Sequence, residues 1–469
     1  MSKAYQPRAA SRKKMTKLCA GCGAINPKEA EACCECGAQI AKTGLDVVEE
    51  ALLLRQHGKS KEALDRLREA LKVEPSNADA LFTFGSLTEE MGDSDEALTY
   101  YDRALEANPK HAAALVAKGS ILRDSGDVDA ALRLFDAAIA SDNRFAVAYN
   151  AKGYLFQKQG SYEQALNCYN KAQEIDPEFD LPWFNMGVCY ALMNDNEKAE
   201  GMFERALTLE ANNADAWFYR ANALANLERY DDAVINYDKG LAIVDTRAPA
   251  WDGRGLALAS LYKWSDALES FEKALSLDPD YFISHNNKGY VYYNLQKFDE
   301  ALQNFDKALE ISPSYILAWI NKGLALDSLN RFDEAIACLD RAFELDPENF
   351  WVLNRKGFIL FSADRYEEAI AIFDKVLDAN PDDTYALSFK GSSYDGLGNF
   401  EEAIACFDRV LEVDGNDEFA WTSKGSALYS LKRYDEALSC FDRALEIDPQ
   451  SLEAVQFKEL IVQKRTGSQ

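Results

Sequence analysis

The sequence predicts an all-α protein, a solenoid of stacked helix-turn-helix units preceded by a small metal-binding module. Alanine recurs at steps of 34 residues along most of the chain, and each step contains apolar residues at helical spacing. Five of the ten cysteines fall within residues 18–40, ahead of the repeated part. The periodicity predicts the solenoid, and the cysteines predict the module.

The module is the stretch LCAGCGAINPKEAEACCECGAQI, in which Cys19 with Cys22 and Cys33 with Cys36 form two C-x-x-C pairs. Two intervening residues let one tight turn direct both sulfurs at one ion, and the glycine after each pair permits a left-handed backbone. Four thiolates complete a tetrahedral site and leave no position for a substrate. The spacing therefore predicts a structural metal site, with Cys34 as a spare thiol.

Two alternatives to zinc stay open at this site. Disulfides are the first, although five cysteines cannot pair evenly, and iron is the second, because it also accepts four sulfurs. The paired knuckles resemble those of the zinc ribbons. That resemblance implies a structural Zn²⁺ carried on small β-hairpins in residues 18–40.

The repeated part keeps its period without an insertion. Residues 282–315 illustrate the unit: Gly289 lies on a first helix, Ala301 and Phe305 lie on a second, and Pro313 ends it. Glycine and alanine are small enough for the two helices to approach closely, and the phenylalanine fills the space beside them. The recurring alanines are Ala63, Ala97, Ala131, Ala165, Ala199, Ala233, Ala267, Ala301, Ala335, Ala369, Ala403 and Ala437.

The unit resembles the tetratricopeptide repeat, in which Trp, Gly, Tyr, Ala, Phe, Ala and Pro occupy set places. Those places are taken here by Trp319, Gly323, Leu326, Ala335, Leu339, Ala342 and Pro347. The resemblance implies a right-handed superhelix of twelve repeats over residues 44–451, whose first helices line a concave groove. Residues 452–465 are then a C-terminal capping helix.

Charge and composition exclude several classes of function. The chain carries a net charge of −27, which argues against wrapping a nucleic-acid backbone, although residues 1–17 form a basic tail that we expect to be disordered. We find no apolar run of the ~18–20 residues that a membrane span needs, and no secretory signal, so we expect a cytoplasmic protein. The three histidines lie in no catalytic motif, so we expect no enzyme.

The groove positions of the resembled family are the second, fifth, sixth, ninth and twelfth of each unit. They combine amides, which can clamp a peptide unit, with aromatic faces that bury side chains. The pattern is similar to the asparagine ladder of the peptide-binding solenoid in O-GlcNAc transferase. The alternative is that these residues only pack or face solvent. The predicted peptide-binding residues are Asn185, Asn222, Asn286, Asn287, Tyr290, Tyr293, Asn321, Asn354, Phe358 and Phe389. The same positions hold Phe218, Tyr219, Ile320, Phe361, Tyr385 and Phe419.

One column departs from the resembled family, because a cation stands where leucine usually precedes the glycine. We predict that each cation pairs with an acid on the second helix of the preceding repeat and fixes the register. The alternative is that the cations line the groove and attract an acidic peptide. The cations are Lys118, Lys152, Arg220, Arg254, Lys288, Lys322, Lys356, Lys390 and Lys424. The acids are Asp136, Glu204, Asp238, Glu272, Asp306, Asp340, Asp374 and Asp408.

Residues 211–249 are predicted to be the least stable part of the solenoid. Two repeat ends there lack the closing proline, and Gly240 replaces the usual alanine inside a helix at a cost of roughly 1 kcal/mol. Local opening of the repeats should begin in this stretch.

Together these observations favour a scaffold that binds proteins or peptides in its groove, with the zinc ribbon as a second docking element. The alternative function is a nucleic-acid-linked adaptor that uses the basic tail and the ribbon. The sequence identifies neither the partner nor the oligomeric state.

Overall fold

The computed structural model describes residues 16–18, 25–27 and 44–466. Two short strands, β1 (Thr16–Leu18) and β2 (Ile25–Pro27), pair antiparallel with Lys17 opposite Asn26. Strand β1 begins inside the stretch predicted to be a disordered tail. Every regular element in the third range is an α-helix, as the sequence predicts.

The helices of residues 44–466 alternate between the first and the second helix of each repeat. The first helices are α1 (Gly44–Gln56), α3 (Ala78–Glu90), α5 (Ala112–Asp124), α7 (Ala146–Lys158), α9 (Asp180–Leu192), α11 (Ala214–Asn226), α13 (Ala248–Ser260), α15 (Phe282–Asn294), α17 (Ile316–Ser328), α19 (Phe350–Ser362), α21 (Thr384–Gly396) and α23 (Glu418–Ser430). The second helices are α2 (Ser60–Val73), α4 (Ser94–Ala107), α6 (Val128–Ser141), α8 (Tyr162–Ile175), α10 (Asn196–Leu209), α12 (Tyr230–Ile243), α14 (Trp264–Leu277), α16 (Phe298–Ile311), α18 (Phe332–Leu345), α20 (Tyr366–Ala379), α22 (Phe400–Val413) and α24 (Tyr434–Ile447). A final helix, α25 (Leu452–Thr466), follows them.

The chain divides into two compact units, Met1–Ile243 and Val244–Gln469. The division falls within residues 211–249, the stretch predicted to be least stable. Within the second unit, α13 contacts α15, α15 contacts α17, α19 contacts α21, and α21 contacts α23. Each second helix there packs mainly against the first helix of its own repeat and that of the next. The first helices therefore form the inner, concave face of this unit.

A glycine and an aromatic ring set the close approach of the two helices in a repeat. A Cβ atom added at Gly289 would lie 2.6 Å from Cε1 of Phe305, whose side chain is fully buried. Real Cβ atoms do not come so near a ring carbon, so only glycine allows this packing. The small-residue role predicted for Gly289 is confirmed.

In several repeats, a side chain of the first helix also binds the loop before it. The indole Nε1 of Trp319 donates to the backbone oxygen of Pro313 at 2.9 Å. His285 takes the place of this tryptophan in the preceding repeat. Its Nε2 lies 3.1 Å from the backbone oxygen of Pro279. These bonds satisfy carbonyl groups in the loop that joins two successive repeats.

Helix α25 occupies the place of a thirteenth first helix. Ala454 and Ile461 are fully buried and belong to the cluster that contains Phe441. The first helices from α3 to α23, except α11, have glycine at one shared repeat position. Helix α25 has Glu459 at that position.

None of the described helices combines the length and the apolarity that crossing a membrane requires.

Candidate functional site

The four predicted zinc ligands lie outside the described residues. In sequence, β1 and β2 flank Cys19 and Cys22. In the part of the chain that the structure describes, no group of three or more His, Cys, Asp or Glu could hold a metal ion. The cysteines of that part, Cys168, Cys189, Cys338, Cys406 and Cys440, are free thiols whose pKa is raised by burial.

Two of the ten predicted peptide-binding residues lie in the first unit. Asn185 is buried and donates through Nδ2 to Oδ1 of Asn150 at 3.0 Å. Asn222 is exposed and accepts a hydrogen bond from the hydroxyl of Tyr237. Both amides are engaged within the protein, and the two belong to different hydrogen-bonded pairs.

The other eight lie in the second unit, where three asparagines form one continuous network. Asn321 donates through Nδ2 to Oδ1 of Asn286 at 2.9 Å, and Asn286 donates to Oδ1 of Asn287 at 3.2 Å. Asn287 in turn donates to both carboxylate oxygens of Asp252, at 3.2 and 3.1 Å. Ser284 donates to the same carboxylate at 2.5 Å. The network links α17, α15 and α13 and runs in one direction, from amide to carboxylate.

Asp252 is the functional candidate that sequence reasoning missed. It is 4% exposed, and burial raises its pKa to about 6, although the bonds from Ser284 and Asn287 lower it. Its charge raises the pKa of Tyr281 and Tyr315, although burial is the larger cause in both. The signal was available, because Asp252 precedes Asn286 by 34 residues and so holds the fifth position of its repeat.

Accessibility separates the members of the network. Asn286 and Asn287 are buried, so they lie beneath the surface of the groove rather than on it. Asn321 is half-buried, and Tyr290 beside the network is 46% exposed. Only the Asn321 end therefore meets solvent directly.

An aromatic cluster lies further along the same face, centred on Phe389. Its ring centroid lies 5.1 Å from that of Phe358, 5.6 Å from Phe361 and 4.7 Å from Tyr385. Phe419 completes the cluster at 6.3 Å and is 46% exposed. Tyr293, the remaining predicted aromatic, is half-buried against Phe298 of α16.

Polar groups beside the aromatic cluster are incompletely paired. Asn354 donates to Oδ2 of Asp383 at 3.3 Å, but its own Oδ1 is buried without a partner among the described residues. The guanidinium of Arg355 lies 5.2 Å from the centroid of Phe358, and one of its nitrogens lies 3.9 Å from Asp327. Arg355 Nε has no hydrogen-bond partner in the described chain.

The predicted pairing of the cation column with the preceding second helix is confirmed for eight of the nine cations. For the ninth, Arg254, the structure shows a hydrogen bond from Nη1 to Ser270 Oγ at 2.7 Å. Lys322 Nζ lies 2.6 Å from Asp306 Oδ1, and Lys288 Nζ lies 2.9 Å from Glu272 Oε1. The alternative, that the cations line the groove, is wrong for these residues. The same pairing joins Lys118 with Asp102, Lys152 with Asp136, Arg220 with Glu204, Lys356 with Asp340, Lys390 with Asp374, Lys424 with Asp408 and Lys458 with Asp442.

The three histidines are held by structural contacts. His57 Nδ1 lies 2.7 Å from the backbone oxygen of Leu53. His111 caps α5, since its Nδ1 accepts from the Ala114 N–H at 3.1 Å while its Nε2 contacts Asp79. His285 contacts the loop before its helix, as described above.

Comparison with known proteins places the repeats in one family. A family model described as tetratricopeptide repeat matches residues 48–87, 82–145, 193–248, 320–384 and 390–451, more than half of the chain. A second model of that description matches residues 146–179 and 282–315, and a model described as TPR repeat matches residues 255–296. No catalytic family is among these matches. A search of curated proteins finds no match to this chain.

Parts of this chain are also similar to solved structures. The chain is similar to YrrB, described as a TPR protein with an unusual peptide-binding site, at 27% identity over 39% of this chain and 95% of that one, with a TM-score of 0.36. Similarity to the Cut9–Hcn1 hetero-tetramer of APC/C covers 88% of this chain and 95% of that one at 16% identity, with a TM-score of 0.42. Similarity to MamA from Desulfovibrio magneticus RS-1 covers 36% and 96% at 24% identity, with a TM-score of 0.35. On the extent of the family match, this chain belongs to the tetratricopeptide repeat family.

Proposed function

We propose that the protein is a scaffold that binds extended segments of other proteins on the groove face of its second unit. We define the groove face as the second, fifth, sixth, ninth and twelfth positions of α13, α15, α17, α19, α21 and α23. The observation that carries the proposal is the network from Asp252 to Asn321, which ends at the surface near exposed aromatic side chains.

The direction of the network determines what Asn321 offers a ligand. Its Nδ2 is committed to Asn286, while its Oδ1 accepts no hydrogen bond from the described residues. An amide oxygen of this kind can accept a backbone N–H of an extended peptide. Tyr290 and the aromatic cluster then offer apolar surface for the side chains of the same peptide.

The experiment that tests this function is selection of 12-residue peptides from a phage-displayed library by the full chain. Affinity of the selected peptides is then measured by fluorescence anisotropy. Asn321→Ala, alone or with Asn287→Ala, should weaken binding by about 1–3 kcal/mol if a buried peptide group loses its partner. Gln303→Ala, exposed on α16, is the control and should bind like the wild type. Unchanged affinity in the asparagine variants would count against this site.

We also propose that Cys19, Cys22, Cys33 and Cys36 hold one structural zinc ion and that residues 18–40 serve as a second docking element. The two C-x-x-C pairs support this proposal, and so do the paired strands β1 and β2, which flank the first pair in sequence. Elemental analysis should find one zinc per chain, lost in Cys19→Ser and kept in Cys34→Ser. A protein that contains neither zinc nor iron contradicts the proposal.

Two further parts of the proposal concern location and nucleic acid. The free thiols of the described repeats support a reducing compartment such as the cytoplasm.

The adaptor alternative predicts salt-dependent binding of RNA or DNA that is lost when residues 1–17 are deleted. Protein partners that survive this deletion in a pulldown favour the scaffold.

A further inference from the structure

The groove face of the second unit carries more acid than base. Asp252, Asp327 and Asp395 occupy its fifth and twelfth positions, and Arg355 is its single cation among the described residues of these six helices. Burial raises the pKa of Asp327 and of Asp395. Oδ1 of Asp395 is buried and has no hydrogen-bond partner within the described chain. Asp395 as a whole is half-buried, and a donor from a ligand would satisfy this oxygen.

The basic residues near this face are already occupied. Arg355 is held between the ring of Phe358 and the carboxylate of Asp327. The lysines of the seventh positions bind the preceding second helices; Lys390, for example, lies 2.5 Å from Asp374. Partial burial lowers the pKa of Lys390, but the hydrogen bond and the charge of Asp374 outweigh it and raise that pKa overall. These lysines are paired, and an acidic ligand would have to compete with the acids that hold them.

The apolar part of the face is aromatic. Tyr385 is 37% exposed, Phe419 is 46% exposed and Trp351 is 50% exposed, each at the second position of its repeat. Aromatic faces attract guanidinium and ammonium groups as well as apolar side chains.

Asp252 is bonded inside the network, and Asp327 is paired with Arg355. Asp395 is therefore the acid of this face that lies beside the aromatic rings with an oxygen unpaired within the described chain. This combination fits a ligand that is basic and carries large apolar residues.

We propose that the groove face of the second unit binds a basic peptide, with arginine or lysine reaching Asp395 and apolar side chains packing on the Phe389 cluster. This proposal rests on the proposed scaffold function and specifies the chemistry of its ligand. The net charge of −27 would also speed the approach of such a peptide.

The test uses the full chain and two fluorescein-labelled 12-residue peptides. The basic peptide has arginine and tryptophan residues separated by glycine and serine. The acidic peptide has the same sequence with glutamate in place of each arginine. The basic peptide should bind at least about tenfold more tightly, and its affinity should fall as salt rises. Asp395→Asn should weaken it by about tenfold. Asp378→Asn, which removes an exposed carboxylate from α20, should leave the affinity unchanged.

Phe419→Ala separates groove binding from general attraction to an acidic protein. The side chain is nearly half exposed, so the variant should fold, and the basic peptide should lose affinity on it. A basic peptide that binds all three variants and the wild type alike would overturn the proposal. Tighter binding of the acidic peptide would overturn it and leave the scaffold function intact. If neither these peptides nor those selected from the library bind, the scaffold function itself fails.

Discussion

Lys322 Nζ lies 2.6 Å from Asp306 Oδ1, and this ion pair joins the first helix of one repeat to the second helix of the repeat before it. The lysine is 24% exposed and the aspartate 49% exposed, so water screens the pair. A contact repeated at this place along the chain fixes how successive repeats are aligned more than it stabilises any one of them.

We therefore predict a small coupling energy for this pair. A double-mutant cycle with Lys322→Met and Asp306→Asn should give a coupling of ~0–1 kcal/mol in urea unfolding, and the coupling should fall at high salt. The pair of Arg331 with Glu334, which lies within one repeat, is the control. A coupling energy of several kcal/mol would contradict this prediction, because it would mean that water does not screen the pair.

Asp252 should make the second unit less stable as the pH rises. Its pKa is raised from 3.8 to about 6 by burial, so the folded chain binds this proton more tightly than the unfolded chain does. The stability that protonation contributes is fully present below pH 3.8 and is lost as the pH rises through about 6, a difference on the order of 3 kcal/mol.

The measurement compares urea unfolding of the wild type and Asp252→Asn between pH 4 and pH 7.5. The wild type should lose stability relative to the variant as the pH rises, because asparagine does not titrate. Asp378→Asn controls for the loss of one carboxylate. A difference between wild type and Asp252→Asn that is constant with pH would contradict the prediction.

Gly240→Ala should destabilise the first unit, although alanine favours helices. An added Cβ would lie 2.4 Å from Cε1 of Phe218, so the ring would have to move. We expect a loss of about 1–3 kcal/mol from overpacking, which outweighs a helix-propensity gain of about 1 kcal/mol. Gly201→Ala in α10 is the matched control, because its Cβ would meet no atom within 4 Å and should stabilise the helix. Thermal unfolding of both variants checks the two signs.

The turn between the helices of a repeat offers a stabilising change. Gln296 adopts φ +59°, whereas the corresponding turns at Gly92 and Gly398 use glycine. A left-handed backbone conformation costs a residue with a Cβ atom roughly 1–2 kcal/mol. Glycine avoids this strain, but it gives back part of the gain because it loses more conformational entropy on folding. Gln296→Gly should gain about 0.5–1 kcal/mol, and Gly398→Ala should lose about as much. Equal melting temperatures for the two variants would refute the argument.

Periodicity determined much of this protein from sequence alone. The helices, their pairing in repeats, the place of Gly289 against Phe305 and the pairing of Lys322 with Asp306 all followed from residues that recur every 34 positions. In a stacked repeat each element meets only its neighbours, so the contact made in one repeat is the contact made in the next. A regular pattern is therefore enough to predict these features.

Only the tertiary structure decided how the groove side chains are used. Asparagines at groove positions predicted a peptide clamp, yet Asn286 and Asn287 are buried and bonded toward Asp252. Which amide donates, which accepts and which reaches solvent depends on side-chain rotamers and on the distance between adjacent first helices. These quantities vary from one repeat to the next, and a residue pattern does not encode them. The burial that raises the pKa of Asp252 arises in the same way, from the helices packed around it.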